Sequence, residues 1–413
     1  MDRKKIPYGI SNFEKLIKEN YYFIDKTKYI EILENLNEQY LVYLRPRRFG
    51  KSLFVSMLEY YYDIKSKENN LFDELYIGKN PTPKRNSYYI LKFNFSGINT
   101  DTEKNTRNGF NEKVRSSIEN FILKYNINIK LDKLKESNDI LGNFFGKLVN
   151  KINGKIYVLI DEYDYFANEK LGFNYEFFKE SGAQNGIIIK FYEELKNGTG
   201  SGLVDKIFIT GVTPIALHSL TSGFNIGSNI TLYKKINGMV GFTETEVRNL
   251  IKTTLKNYDI EKSIEKLKAY YNGYKFNNEG SNRVYNSGMI LYYVSQYQSL
   301  GKEPKDLVDN NVVTDYRKIA NLFNIGGMSE ERLEVLKRII KGEEQMLNLT
   351  RNYNLNGRFS VDDFKSLLFY MGFMTIKRVD EISGSIYIGV SNYVIKELYV
   401  KYFEELIEKN PKK

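Results

Sequence analysis

Arg45-Pro46-Arg47-Arg48-Phe49-Gly50-Lys51-Ser52 is the stretch on which the reading of this chain turns. Ahead of it, Gln39-Tyr40-Leu41-Val42-Tyr43-Leu44 is a short apolar strand candidate, and behind it Leu53 to Ile64 reads as a helix with few breakers. Strand, loop and helix in that order are the context in which a loop cradles phosphates. Backbone N–H groups at the helix N-terminus face the anion, the lysine reaches the terminal phosphates, and the hydroxyl ligates magnesium. Lys51 and Ser52 fill the last two roles, with Arg47, Arg48, Phe49, Gly50 and Leu53 completing the cradle. The first glycine of the usual pattern is replaced by Arg45, so only the Gly50-Lys51-Ser52 half is complete, and that half alone also fits an ordinary basic turn.

The segments downstream weigh between those two readings. Tyr88 to Phe95 gives a second strand, and helices are expected from Asn105 to Lys124 and Asn138 to Asn150. Lys155-Ile156-Tyr157-Val158-Leu159-Ile160 is a third strand, ending in Asp161-Glu162-Tyr163-Asp164. An aspartate there can hold magnesium through water while the neighbouring glutamate polarises an attacking water. A strand ending in two acids is also a common feature with no catalytic meaning. Residues 168 to 203 read as a polar loop flanking one helix, and the fourth strand is Lys206 to Thr210, followed by Gly211-Val212-Thr213-Pro214. Thr210 or Thr213 is placed to sense a γ-phosphate, or else merely caps the turn. A lysine loop, acids 110 residues further on and then a strand ending in threonines is the order of parts in a nucleotide hydrolase. Strands alternating with helices predict a parallel sheet with crossover helices.

With 413 residues the chain has room for two or three domains. It has no cysteine and one histidine, His218, which excludes disulfides, thiolate metal sites and a His-rich metal site. No uninterrupted apolar run approaches membrane-spanning length and no apolar run follows the basic N-terminus, so a cytoplasmic setting with no membrane partner is expected. Lys and Arg number 61 against 51 Asp and Glu, a net +10. That balance suits an acidic partner such as nucleic acid. It also follows from an adenine- and thymine-rich coding sequence, since Lys, Ile, Asn, Tyr and Phe abound while Pro is scarce and Trp absent.

Elsewhere, residues 8 to 36 hold two short helices around an aromatic run, Tyr21 to Thr27, and form a segment able to cover the nucleotide site. Asp25 and Lys26 at the end of that run are a solvated turn or a contact to base or ribose. From Gly241 helix dominates to about residue 300, opened by a Thr243/Glu246 capping box and interrupted at Tyr271-Asn272-Gly273-Tyr274. A helix near Leu333 to Lys341, a Ser360-capped helix to Tyr370 and a hairpin of Met374–Val379 with Ser385–Val390 suggest a winged-helix-like element, or a plain packing module. Arg248 and Arg283 are candidates for an arginine finger, and equally for ordinary surface charges. The expected division is residues 1–240, an ATPase core with its N-terminal cover; 241–300, a helical lid; and 301–413, a helical and winged-helix-like region.

Ile6 to Phe13, Phe23 to Thr27, Arg45 to Ser52, Leu159 to Asp164, Thr210 to Pro214, Gly241 to Glu244 and Tyr271 to Tyr274 together resemble the AAA-ATPase-like family. This is a bacterial group related to the STAND branch of P-loop ATPases, and the resemblance covers roughly residues 6 to 300. It implies an α/β P-loop NTPase fold of the ASCE/AAA-like kind, a parallel sheet flanked by helices, followed by a helical lid and a winged-helix-like C-terminal region. Arginine at the first loop position is usual in the family. The implied cofactors are ATP and Mg2+, with Lys51 and Ser52 on phosphate and magnesium, Asp161 on magnesium and Glu162 activating water. Nucleic acid, a second copy of the chain and a separate nuclease are the further partners considered. Residues 359 to 400 resemble the segment that precedes an appended PD-(D/E)XK nuclease, but no strand pair with the acid pattern of such a nuclease fits beyond Tyr399. Nuclease activity is therefore not expected of this chain.

Overall fold

Five parallel strands, β1 (Tyr40–Leu44), β2 (Tyr88–Asn94), β3 (Lys155–Asp161), β4 (Val204–Gly211) and β5 (Ser228–Asn229), lie in the order β2-β3-β4-β1-β5. The computed structural model describes residues 4–173, 186–215, 225–255, 258–280, 282–309, 319–323, 329–353 and 359–409. The inner strands are apolar on both faces: Leu41 to Leu44, Ile156 to Ile160 and Ile207 to Ile209 are all buried. A parallel sheet needs this, because crossover helices cover both of its sides. β4 stands between the strand that leads into the loop and the strand that carries the acids, the arrangement of the ASCE-type P-loop fold. Leu44 is opposite Gly211, and Asn94 is opposite Asp161. The carboxyl ends of the strands thus finish together, where open α/β sheets hold their ligands.

The helices of this part are α1 (Phe13–Lys18), α2 (Lys28–Glu34), α3 (Lys51–Tyr62), α4 (Tyr76–Lys79), α5 (Glu103–Tyr125), α6 (Ser137–Leu148), α7 (Tyr165–Phe173) and α8 (Gly186–Gly200). α3 packs on β2 and β3, α5 on β2, and α8 on β4 and α6. α1 sits against α3, where the Phe13 amide donates to Ser56 Oγ at 3.0 Å. The stretch expected as a polar loop with one helix thus carries two, α7 and α8.

Three helices follow, α9 (Glu244–Thr254), α10 (Ile260–Tyr271) and α11 (Ser287–Leu300). Thr243 and Glu246 close the expected capping box at α9. Between α10 and α11 the chain is extended, and Tyr274 bridges Val284 while Tyr285 bridges Phe242. The C-terminal part contains α12 (Glu330–Lys341), β6 (Gln345–Leu347), α13 (Val361–Tyr370), β7 (Met374–Val379), β8 (Ile386–Val390) and α14 (Tyr393–Lys409). The expected hairpin forms, and β6 adds a third antiparallel strand to give the winged-helix-like order β6-β8-β7. This part is seated on the extended stretch: Gly273 has φ 110°, and a side chain there would lie 2.1 Å from the Ser391 carbonyl oxygen. No helix of the described residues is long and apolar enough to cross a membrane.

Candidate nucleotide site

The loop between β1 and α3 is held by its carbonyls. Lys51 Nζ donates to the carbonyls of Arg45 at 2.8 Å and Pro46 at 3.0 Å. Asn286 Nδ2 donates to Arg47 O at 3.3 Å, Ser287 Oγ and the Gly288 amide each to Arg48 O at 2.9 Å, and the Gly241 amide to Phe49 O at 2.9 Å. Arg48 (φ 68°) and Gly50 (φ 96°) take left-handed backbone conformations, costless for glycine and uncommon for arginine. The clasp from the α11 end compensates that cost at Arg48. With the carbonyls engaged, the backbone N–H groups of Arg47 to Ser52 have no acceptor among the described residues. They are the donors that a phosphate uses at a helix N-terminus.

A cavity of about 620 Å³ opens over this loop. Its volume falls in the range of small-molecule sites. Arg47 to Phe54 line it together with Glu162, Tyr165, residues 7–11 and 22–24, Lys26, residues 239–242 and the first turn of α11. The N-terminal segment therefore borders the cavity. The lining divides by chemistry: Arg47, Arg48 and Lys51 are cationic, whereas Ile10, Leu16, Phe23, Met57, Val240 and Phe242 offer apolar surface. That is the pairing a nucleotide needs, charge for phosphates and apolar walls for a base.

The two arginines that line the cavity are tied to acids from other elements. Arg47 pairs with Glu169 on α7 at 3.1 Å, and Arg48 with the buried Asp309 at 3.1 Å. The same Asp309 oxygen accepts the Tyr8 hydroxyl at 2.5 Å. Lys51 is buried, and burial pushes its ammonium down to about 8 against the opposing pull of Asp161, Asp164 and Glu162.

Asp161, at the end of β3, accepts the Thr210 hydroxyl at 2.6 Å and the Glu162 amide at 3.1 Å, both on Oδ1. Its other oxygen has no hydrogen-bond partner among the described residues. Glu162 follows with φ 53° and borders the cavity; burial first, and then the Asp161 charge, raise its carboxyl above the usual range. Asp164 supplies the anchor that residue patterns did not assign: its buried carboxylate accepts the amides of Val212 at 3.0 Å and Thr213 at 2.6 Å, and Asn168 Nδ2 at 2.6 Å. The Thr213 hydroxyl lies between Asp164 Oδ2, at 3.1 Å, and Asn168 Oδ1, at 2.8 Å. Thr210 and Thr213, of which one is expected to sense a γ-phosphate or else to cap the turn, have their hydroxyls on acids and stand outside the cavity lining.

Arg45 turns away from the cavity. Its guanidinium is buried between the rings of Tyr43, 4.5 Å away, and Phe276, 4.3 Å away, and donates at 2.8 Å to the carbonyls of Leu44 and Thr231. The side chain that replaces the usual glycine therefore ties β1 to the chain beyond β5 and to the extended stretch before α11, leaving the cradle itself unobstructed.

A solvated turn, or a contact to base or ribose, is the expectation for Asp25 and Lys26; the turn forms at Asp25, and solvation is corrected for Lys26. Lys26 is buried, bonded to both Glu246 carboxylate oxygens at 2.7 Å and to Gly238 O at 3.0 Å, and it borders the cavity. Asp25 accepts the Thr27 amide at 2.8 Å and the Tyr76 amide at 2.7 Å. Sequence proximity did not show that the capping-box glutamate would supply a counter-charge from far along the chain. Arg248 pairs with Glu244 at 3.1 Å and Glu261 at 2.7 Å, and Arg283 donates to Gly273 O at 2.8 Å; neither borders the cavity. His218 lies outside the described residues.

Among the described residues, no group of three or more His or acidic side chains forms a metal cage. A hydroxyl on the loop and one carboxylate oxygen free to accept suit magnesium, which keeps waters and takes one or two carboxylates plus substrate phosphates. Ser52, which lines the cavity, and Asp161, which is buried just outside its lining next to Glu162, are the donors of those types at this end of the sheet.

A family model described as predicted AAA-ATPase matches residues 7–221, just over half of the chain. The chain belongs to the AAA-ATPase-like family. The matched span of this AAA-ATPase-like chain contains the loop, the acids and the strand that ends at Gly211, and membership makes it a nucleotide-binding P-loop protein. The chain is similar to an uncharacterized protein in the vnfD 5′ region of Azotobacter chroococcum mcd 1, 26% identical over 300 residues, which are 70% of this chain and 52% of the relative. It therefore spans about half the length of that curated relative. Among solved structures it is similar to the ORC1 protein of Aeropyrum pernix in complex with DNA, with 10% identity, coverage of 97% of this chain and 96% of the other, and a TM-score of 0.34. A likeness at that score carries no further argument.

Proposed function

We propose that the chain binds ATP with magnesium in this cavity and hydrolyses it, using the lid and the winged-helix-like part to report which nucleotide is bound. The observation that carries this reading is the loop itself: unengaged N–H groups and a buried lysine face a cavity that Glu162 also borders. The phosphates accept hydrogen bonds from the amides of Arg47 to Ser52 and draw Lys51 off the Arg45 and Pro46 carbonyls. Arg47 and Arg48 are drawn off Glu169 and Asp309 in the same way. Magnesium, held by Ser52 and Asp161, supplies neutralising charge at the phosphate oxygens. Glu162 orients a water and takes its proton, a role suited to a carboxylate whose affinity for protons is already raised. Thr210 fixes the Asp161 carboxylate, and Asp164 fixes the turn after β4, so both act as positioning groups. The proposed division is a core of residues 1–240, a lid of 241–300 and a reporting region of 301–413.

Single-turnover incubation with γ-labelled ATP and magnesium tests the reading. Release of labelled phosphate by wild type, lost in Lys51→Ala, supports it; tight ATP binding with no release identifies a non-hydrolysing scaffold.

A further inference from the structure

Lys275 and Arg283 stand beside one another at a minimal antiparallel ladder of one isolated bridge, Tyr274 with Val284. Tyr274 and Val284 exchange both backbone hydrogen bonds, at 2.9 Å and 3.2 Å, which makes positions 275 and 283 the next opposing pair. Side chains in such a pair leave the same face as near neighbours, and like charges there are destabilising. A third cation joins them from β7. The Lys275 amide donates to Thr375 Oγ1 at 2.8 Å, and Lys377 stands just beyond, at the register shift between Ile376 and Arg378, its stem laid over Gly389, where an added Cβ would meet Lys377 Cε at 3.0 Å.

The cluster is only partly compensated: the Arg283 guanidinium donates to Gly273 O at 2.8 Å, and it makes no ion pair among the described residues. Glu344 is the acid that acts on Arg283 and Lys377, and it is already paired with Arg378 at 2.9 Å. Among the described residues no acid forms an ion pair with Lys275, Arg283 or Lys377. Lys275 is only 8% exposed. Burial, together with the Arg283 charge, lowers the proton affinity of both lysines, Lys377 to about 8.

We propose that Lys275, Arg283 and Lys377 form an anion site, at the junction of the lid and the winged-helix-like sheet, that takes a phosphate group. The charge count selects phosphate: a carboxylate brings one negative charge to three cations, while phosphate brings up to two and enough oxygens for an arginine fork and two ammonium groups. A free phosphate and a nucleic-acid backbone offer the same group.

The experiment uses the full chain carrying Lys51→Ala, so that phosphate binding at the loop is weakened and is common to both proteins, and compares it with the same chain carrying Lys275→Gln and Arg283→Gln as well. Inorganic phosphate should raise the melting temperature of the parent by more than that of the variant. Without phosphate the variant should melt at or above the parent, because a repulsion has been removed; a merely structural role for the pair predicts the opposite. A labelled DNA duplex, followed by anisotropy at rising salt, identifies the source. Binding that loses about 0.9 from its log-log salt slope for each contact removed assigns the site to a backbone. A phosphate shift without duplex binding assigns it to free phosphate. Lys377→Gln, outside the ladder, repeats the comparison should the double substitution fail to fold. A parent that responds to neither phosphate nor duplex at low salt, or variants that respond as the parent does, overturn the proposal.

Discussion

The Gly288 amide donates to the Arg48 carbonyl at 2.9 Å, and a methyl group on Gly288 would lie 2.8 Å from Arg48 Cβ. The first turn of α11 is thus seated on the phosphate loop with no room between them. Any shift of that helix is felt at the loop.

Gly288→Ala should therefore weaken ATP binding more than it weakens the fold. Overpacking of this kind costs about 1–3 kcal/mol, roughly 5- to 150-fold in affinity if it falls on the loop. Calorimetric titration beside a thermal melt checks it; equal affinity with an unchanged melt contradicts the clasp.

Gly211→Ala addresses the turn that carries Thr213. An added Cβ would lie 2.4 Å from the Tyr163 ring and 2.5 Å from Asp164 Oδ1, both buried. A loss of about 1–3 kcal/mol or more, with a lower denaturation midpoint, is expected. A midpoint like that of wild type means the turn can relax.

Proton uptake should accompany ATP binding at alkaline pH. Burial pushes the Lys51 ammonium from its ordinary 10.5 down to about 8, and bound phosphates favour its charged form. Because the folded state holds fewer protons than the unfolded state between those values, the cost of burying this ammonium is present below 8 and is relieved as pH rises from about 8 to 10.5. Binding heats in buffers of different ionisation enthalpy measure the uptake between pH 8 and 9. Absence of uptake there contradicts a lysine that becomes charged on binding.

Glu162→Gln keeps the shape and hydrogen-bonding reach of the side chain and removes the base. Turnover should fall by roughly 10²- to 10⁴-fold while ATP affinity holds. Equal turnover in the two proteins removes Glu162 from the water-activating role.

What the residues disclosed, and what they withheld, follows the range of the interactions. Capping is local, so Thr243 with Glu246 and Ser360 with Asp363 marked helix starts that the structure places at those residues. The long buried strands and the lysine loop between strand and helix were equally legible, since burial on both faces leaves unbroken apolar runs. β5 and β6, of two and three residues, are too short to carry a pattern. The meetings across the chain were illegible: Tyr8 and Arg48 on Asp309, Asn286 on Arg47 and Lys26 on Glu246 join positions that only the fold brings together. Thr210 stands at a strand end, which the sequence shows; that its hydroxyl serves Asp161 depends on β3 and β4 being neighbours, which no spacing states.

The most direct test is a calorimetric titration of MgATP into wild type and into Lys51→Ala, with circular dichroism to show that both are folded. Charge-assisted hydrogen bonds from one lysine contribute about 1.5–3 kcal/mol, so affinity should fall roughly 10- to 150-fold or vanish in the variant. ATP affinity that is the same in both folded proteins contradicts the assignment of this loop as the nucleotide site.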